Sequence, residues 1–485
     1  EDVISEIVGY LNGLTIWGHP LTQENVVPPT TIPAIVGTLV ASIYNPNVIW
    51  DEYSHKVAEA EVEAVAMVAD LIGYDADQSG GVFTFGGTGT TVYGIKLALH
   101  RLNPDTGERG VREDVKVITS DCSHYATKRN AMNWLGLGTD NLVIVPTHSD
   151  NSMDLTCLED TICRLIDDGS RIACIVPTVG TTDAFGIDDV AGITALRDRI
   201  FGEADLGYTP HVHADAVIGW VWSVFNDYDF EENPLDFCRH TCRSLSDASE
   251  RIRGLRKADS VGVDFHKTGF APYVSSLFLV PDRTMFDLLT REQGAMPYLY
   301  QFGEYKPGVY TLESSRNGGA ILAALANLKL LGRSGYQALL GYLTDMAEHL
   351  RERFESEKCV HVVNDYNFGP VTLFRVYPPG TDARRAWERE IDDQAARDEL
   401  VAHNEYNRQI FDHIQQESLK SGGVNLSVTS AYRWTRWGDP IVAIKSFIMS
   451  PFTDENSPER IMGAIERAQE AVDEPQPDPA AASSS

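Results

Sequence analysis

The segment Val261-Gly262-Val263-Asp264-Phe265-His266-Lys267-Thr268-Gly269-Phe270 sets a short apolar run directly against a lysine. Such a run reads as a buried strand. A lysine leaving a buried strand is costly unless it is paired or reactive, and desolvation would lower its pKa toward that of a useful nucleophile. Lys267 is therefore the candidate functional lysine. The bland alternative is a surface lysine snorkelling over apolar neighbours, but only 11 lysines stand beside 29 arginines in this chain, and this one has His266 next to it.

Outward from this segment, residues 115–119, 142–145, 172–176, 211–214, 261–265 and 276–280 read as short strands, with helical patterns between most of them. Strands interleaved with helices predict a mainly parallel sheet covered on both faces. In such sheets ligands sit beyond the strand C-termini. The unusual residues fall there: Ser123-His124, Thr181-Thr182, Asp215 and His266-Lys267. Upstream, Val57, Val62, Val65, Met67, Val68 and Leu71 recur at helical spacing over residues 55–72, and Gly73 supplies a stop. Downstream, one helix is expected over residues 319–331, ending at Gly332, and another over 336–354. Beyond residue 360 a smaller α/β unit is expected, with strands at 371–376, 424–428 and 444–449.

These readings divide the chain into four parts. Residues 1–48, rich in Pro, Asn and Thr with a short helical start at 4–11, form an arm that needs another surface to bury it, residues 49–332 a large domain, 333–472 a small C-terminal domain, and 473–485 a Pro/Ala/Ser tail with nothing to pack.

At 485 residues the chain exceeds what one hydrophobic core usually serves. A net charge of −30 argues against nucleic acid or an anionic membrane surface as partner, and an acidic, lysine-poor composition hints at a salty habitat. Seven irregularly spaced cysteines make no disulfide framework. There is no basic and apolar leader and no stretch of eighteen apolar residues, so a cytoplasmic protein is expected. Because residue 1 is not Met, an upstream extension is also expected.

Three segments could carry chemistry. Gly86-Gly87-Thr88-Gly89-Thr90-Thr91 follows an apolar run and precedes a helical pattern, a setting in which backbone N–H groups cradle phosphate. It matches neither a P-loop nor a dinucleotide fingerprint, and a plain strand-to-helix turn is the alternative. His211-Val212-His213-Ala214-Asp215 admits a metal site, a strand-end cap, or a carboxylate that meets a pyridinium nitrogen and keeps the ring protonated as an electron sink. His124 could stack on a flat cofactor, bind a substrate carboxylate, or be structural.

Taken together, Gly86-Gly87-Thr88, Ser123-His124, Thr178-Val179-Gly180-Thr181-Thr182, His213-Ala214-Asp215-Ala216 and His266-Lys267 resemble, in order and spacing, the group II pyridoxal 5′-phosphate (PLP) dependent decarboxylases. The resemblance covers residues 15–455 and looks closest to the bacterial tyrosine decarboxylase branch. Tyr44-Asn45-Pro46-Asn47, the long insertion between Asp215 and Lys267, Ala271-Pro272-Tyr273 and Thr311-Leu312-Glu313-Ser314-Ser315-Arg316 carry that likeness.

The resemblance implies PLP fold type I, an aspartate aminotransferase-like seven-stranded, mainly parallel sheet with a small C-terminal domain, and a homodimer with shared active sites. It implies that Lys267 carries the cofactor as a Schiff base, Asp215 pairs with the pyridine nitrogen, His124 stacks over the ring and Thr181 lies near the 3′-oxygen. Gly87, Thr88, Gly89 and His266 would hold the phosphate, with Ser314 and Ser315 reaching the phosphate of the neighbouring subunit. Tyr298 or Tyr300 would return a proton to Cα, and Tyr273 resembles an active-site tyrosine; packing is the alternative for all three. Thr91, Phe265 and Val217 depart from the family's usual Asn, Pro and small residue.

The expected reaction is decarboxylation of an L-amino acid, tyrosine-like, with glutamate or another acidic amino acid as runner-up. From other classes, a metal-dependent hydrolase using His211, His213 and Asp215, or an inactive PLP-fold binding protein, stands as an alternative.

Overall fold

Seven short segments whose residues are almost all buried pair into the main sheet of a computed structural model that describes residues 2–291, 303–364, 366 and 368–473. The strands are β1 (Gly80–Thr84), β2 (Val115–Ser120), β3 (Leu142–Val145), β4 (Arg171–Val176), β5 (His211–Asp215), β6 (Ser260–Asp264) and β7 (Ser276–Val280), in the order β1-β7-β6-β5-β4-β2-β3. Strands β2 to β6 pair in parallel, and β7 alone runs against its neighbours β1 and β6. Burial on both faces is why these strands read as continuous apolar runs. The C-terminal ends of β1, β2, β4, β5 and β6 consequently line one edge of the sheet.

Helices Gly87–Leu102, Leu155–Asp167, Val190–Ala204 and Arg239–Ile252 connect the strands. Asp154 and Asp189 cap two of them by accepting backbone N–H groups of Thr156, Cys157 and Gly192. The helix Gly87–Leu102 lies directly on β5 and β6. A Cβ built on Gly94 would fall 2.3 Å from the His213 ring, and one on Gly262 would fall 2.3 Å from Thr90 Oγ1, so both positions have room only for glycine.

The chain forms two compact units: residues 30–344 with 364–369, and residues 1–29 with 345–363 and 370–485. The expected boundary after Gly332 is therefore displaced. Gly332 does interrupt the helical run Gly319–Glu355, with φ 56° and ψ −167°. Beyond it, however, Tyr336 Oη donates to Gly269 O, Gln337 Nε2 donates to Val224 O, and the Phe237 ring closes on Gly341. The 1–48 arm also divides. Gln23 N donates to Asn425 O and Phe447 N donates to Gln23 O in the C-terminal unit, whereas Thr31 N donates to Phe270 O in the large one.

The C-terminal unit holds an antiparallel sheet of β8 (Val360–Val362), β9 (Val371–Val376), β10 (Ser427–Trp434) and β11 (Pro440–Phe447), in the order β10-β11-β9-β8. Phe354, Phe374, Val376, Ile410, Leu426, Ile444 and Ile465 form its core. The strand expected at 424–428 starts later, because Val424 and Leu426 fill this core while the pairing to β11 begins at Ser427. Among the described residues no helix is long and apolar enough to cross a membrane.

Candidate active site

The end of β6 delivers an ion pair between a buried carboxylate and a partly buried lysine. Asp264 is fully buried, and its Oδ2 lies 2.8 Å from Lys267 Nζ and 3.5 Å from His266 Nε2. Ser276 Oγ, on β7, donates to the other oxygen at 2.5 Å. This corrects the expectation that Lys267 titrates low. Burial does pull the ammonium down, but the Asp264 carboxylate, with Asp215 and Tyr273, outweighs it and holds the pKa above the ordinary lysine value. The counter-charge, three residues away in the chain, reaches Nζ because residues 265–271 fold back as a tight turn, with Phe270 N donating to Lys267 O and Ala271 N to Phe265 O.

Asp215 closes β5, pinned by Val179 N donating to its O and by its own N donating to Pro177 O. It is buried, and Oδ1 has no hydrogen-bond partner among the described residues. Burial raises its carboxyl to about 6; Lys267 and the Val217 N–H oppose the rise and Asp264 adds to it. Such an orphaned oxygen is the kind of group that a pyridinium N–H would satisfy.

The neighbouring histidines do not join Asp215 in a metal site. His211 Nε2 and His213 Nδ1 both contact Ser260 Oγ, at 2.7 and 2.8 Å, and burial holds the two rings down to about 4 and about 3. Among the described residues no three His, Cys, Asp or Glu side chains gather with metal-binding geometry.

His124 follows β2, half-buried, with Nδ1 accepting from Ala126 N at 3.2 Å, so its proton sits on Nε2. Burial and the Lys267 charge hold it at about 4, while Asp264 and Asp183 pull the other way. It opens onto a π-helical turn, Ala126–Ala131, an uncommon element that often marks functional sites. Thr181, after β4, is buried and accepts from Gly186 N at 2.8 Å, leaving its hydroxyl proton free to donate elsewhere. The Tyr273 ring stands 4.3 Å from that of His266.

At the end of β1, Gly86 (φ 111°) turns the chain into the helix Gly87–Leu102, which starts without a side-chain cap. Gly87 abuts Asp264 Oδ2, and Gly89 abuts Thr84 Oγ1 and the Phe85 ring. An uncapped glycine-rich helix start beside a partly buried lysine and an orphaned aspartate fits a phosphorylated pyridine cofactor.

Lys267, His266, Asp215, His124, Tyr273 and Gly87 thus share one neighbourhood. Ser314 and Ser315 stand exposed, with Asn47 Nδ2 donating to Ser315 Oγ at 3.1 Å. Tyr298 and Tyr300 lie outside the described residues.

Two features escaped the reading of the sequence. One is Asp264 itself. The other is the latch that holds residues 311–316 against β1. Glu313 accepts from Thr84 Oγ1 and Tyr93 Oη, while Arg316 pairs at 2.5 Å with Glu61, which also accepts from Phe83 N and Tyr305 Oη. Glu61 was detectable as a carboxylate on the apolar stripe of Val57, Val65 and Val68.

Residues 2–223 match the family model described as the pyridoxal-dependent decarboxylase conserved domain. The L-2,4-diaminobutyrate decarboxylase of Acinetobacter baumannii is 25% identical over 431 residues, 85% of this chain and 77% of that protein. The L-tyrosine decarboxylase of Enterococcus faecium is 29% identical over 258 residues, 50% of this chain and 41% of that protein, so less than half of its length is spanned. The crystal structure of Oryza sativa TDC with PLP and tryptamine shares the fold, with a TM-score of 0.75 at 17% identity over 97% of this chain and 88% of that one.

Proposed function

We infer, from the premise that the chain belongs to the group II PLP-dependent decarboxylases, that it releases the α-carboxylate of an aromatic L-amino acid as CO₂ and yields the amine. The observation that carries this reading is the pairing of Lys267 with Asp264 beside the unsatisfied Oδ1 of Asp215.

PLP, when bound, supplies the electron sink into which the Cα–carboxylate bonding electrons pass. The chain's own residues supply the rest. Lys267 must surrender one ammonium proton before its nitrogen can act as a nucleophile. Asp215 offers a buried carboxylate oxygen to a positively charged N–H. His124, neutral above about pH 5, presents Nε2–H as a donor without adding charge. Thr181 contributes a hydroxyl proton, and residues 87–89 with His266 the phosphate contacts. Tyr298 or Tyr300 returns the proton to Cα, and Ser314 and Ser315 serve a neighbouring subunit.

Aromatic specificity is supported by the rim of the site. Phe85, Tyr125, Trp134, Tyr273 and Val274 are exposed there, Phe85 and Trp134 with ring centroids 6.1 Å apart and Val274 beside Gly86. Apolar surface of this kind is suited to covering a substrate ring. A homodimer is supported by the helix Asp2–Gly9, which exposes Val3, Ile4, Ile7 and Val8, and by the helix Ile32–Tyr44, which exposes Ile32, Leu39, Ile43 and Tyr44. Seven free thiols suit a reducing cytoplasm.

The test is a panel of L-amino acids assayed for released CO₂ with the PLP-loaded protein and its Lys267→Ala variant. Aromatic substrates are expected to lead, with the variant inert. Turnover retained by Lys267→Ala, or a preference for glutamate or aspartate, overturns the assignment of the lysine or of the substrate respectively.

A further inference from the structure

Helix starts bind phosphate through free N–H groups and the positive end of the helix, so a carboxylate placed among them opposes binding. The start of the helix Gly87–Leu102 has such a carboxylate against it. A Cβ built on Gly87 would fall 2.9 Å from Asp264 Oδ2 and 3.3 Å from Oδ1, in the interior of the protein. Asp264 is held there from three sides: by Ser276 Oγ at 2.5 Å, Lys267 Nζ at 2.8 Å and His266 Nε2 at 3.5 Å.

The charges around it sharpen the conflict. Asp215 faces the pair from β5, His266 and Tyr273 from the turn that carries the lysine, and His124 from the segment after β2. At neutral pH both histidines are uncharged, because burial lowers them, and Tyr273 keeps its proton. Two carboxylates and one ammonium remain, so a net negative group stands where a doubly charged phosphate is to be received.

We propose that Asp264 is a resident anion at the phosphate end of the site, which neutralises Lys267 while the cofactor is absent, competes with the incoming phosphate, and thereby sets how tightly the enzyme holds its cofactor. This rests on the reading that Lys267 carries the cofactor. Cofactor entry exchanges one anion for another at the helix start, and the carboxylate left behind continues to repel the phosphate. Two unit charges a few ångströms apart in partly buried surroundings interact strongly enough to change affinity by roughly 10- to 100-fold.

Cofactor-free wild-type, Asp264→Asn and Asp264→Glu proteins are titrated with PLP and with pyridoxal, which lacks the phosphate. Binding is followed by absorbance and by mass spectrometry of the borohydride-fixed Lys267 peptide. The ratio of the two affinities is the readout, since both ligands bond to the same nitrogen and whatever Asp264 does through Lys267 cancels. Asp264→Asn is expected to raise the ratio in favour of PLP at least about 10-fold. The charge-conserving Asp264→Glu is expected to stay near wild type, and inorganic phosphate is expected to compete at lower concentration in the asparagine variant. Asp264→Ser serves the same comparison if the amide variant does not fold. A ratio unchanged within about 3-fold, or shifted toward pyridoxal, overturns the proposal. Absence of a fixed adduct on Lys267 in the wild-type protein overturns instead the reading on which it rests.

Discussion

Substituting Asp215 by asparagine removes a charge from the interior at nearly constant volume. The fold lifts this carboxyl from its ordinary 3.8 to about 6, by burial above all. That disfavours the ionised form by about 3 kcal/mol. Below pH 3.8 the group is protonated in both folded and unfolded chains and carries no penalty. As pH rises from there to about 6 the unfolded chain ionises first and stability is lost, and above 6 the full penalty persists. Asparagine escapes this loss but leaves an amide N–H where Oδ1 had no partner, a cost of about 1 kcal/mol or more.

Cofactor-free Asp215→Asn is therefore expected to be more stable than wild type by about 1–2 kcal/mol near pH 7.5. The advantage vanishes toward pH 4. Urea unfolding of both proteins at the two pH values, followed by circular dichroism, measures the difference. Equal stabilities at neutral pH, or an advantage that grows on acidification, would falsify the argument. With PLP added, the same variant is expected to be nearly inert, a trade of activity for stability typical of functional charges.

Arg316→Met leaves Glu61 buried without its cation and is expected to destabilise the protein by about 3–5 kcal/mol, read as a urea midpoint shift; a loss under about 1 kcal/mol rules out the latch as a major support. His124 is expected to titrate at about 4, so its ring resonances hold still from pH 5.5 to 8.5 in NMR spectra, and a midpoint between 6 and 7 contradicts the burial argument. With 70 acidic against 40 basic residues, the thermal midpoint is expected to climb as KCl is raised from about 0.1 to 2 M, and a flat or falling response refutes self-repulsion as a significant term.

The main sheet was legible because strands buried on both faces leave long apolar runs, and the residues that break those runs at their ends, Asp215 and Lys267, stood out for the same reason. Strand β10 was misread because Ser427–Trp434 is half exposed and mixed in polarity, so the apolar residues just before it, Val424 and Leu426, looked more strand-like than the strand itself. The direction of the Lys267 shift was beyond reach, since proximity to Asp264 depends on how a seven-residue turn folds. Glu61 left a trace as a carboxylate on an apolar stripe, but the burial of Arg316 was hidden, since it is an ordinary surface type until its partner, 255 positions away, is known to face it. The unit boundary was obscured because Gly332 breaks the helix without ending the packing of its second half.

Residues 1–29 belong to the unit completed by residues 370–485, and Gln23 bonds to Ser446 across 423 positions. During synthesis residues 1–29 accordingly wait roughly 20–90 s for their partners. The larger unit, nearly contiguous in the chain, has all but six of its residues by position 344. The larger unit can thus fold while the smaller one still lacks β10 and β11.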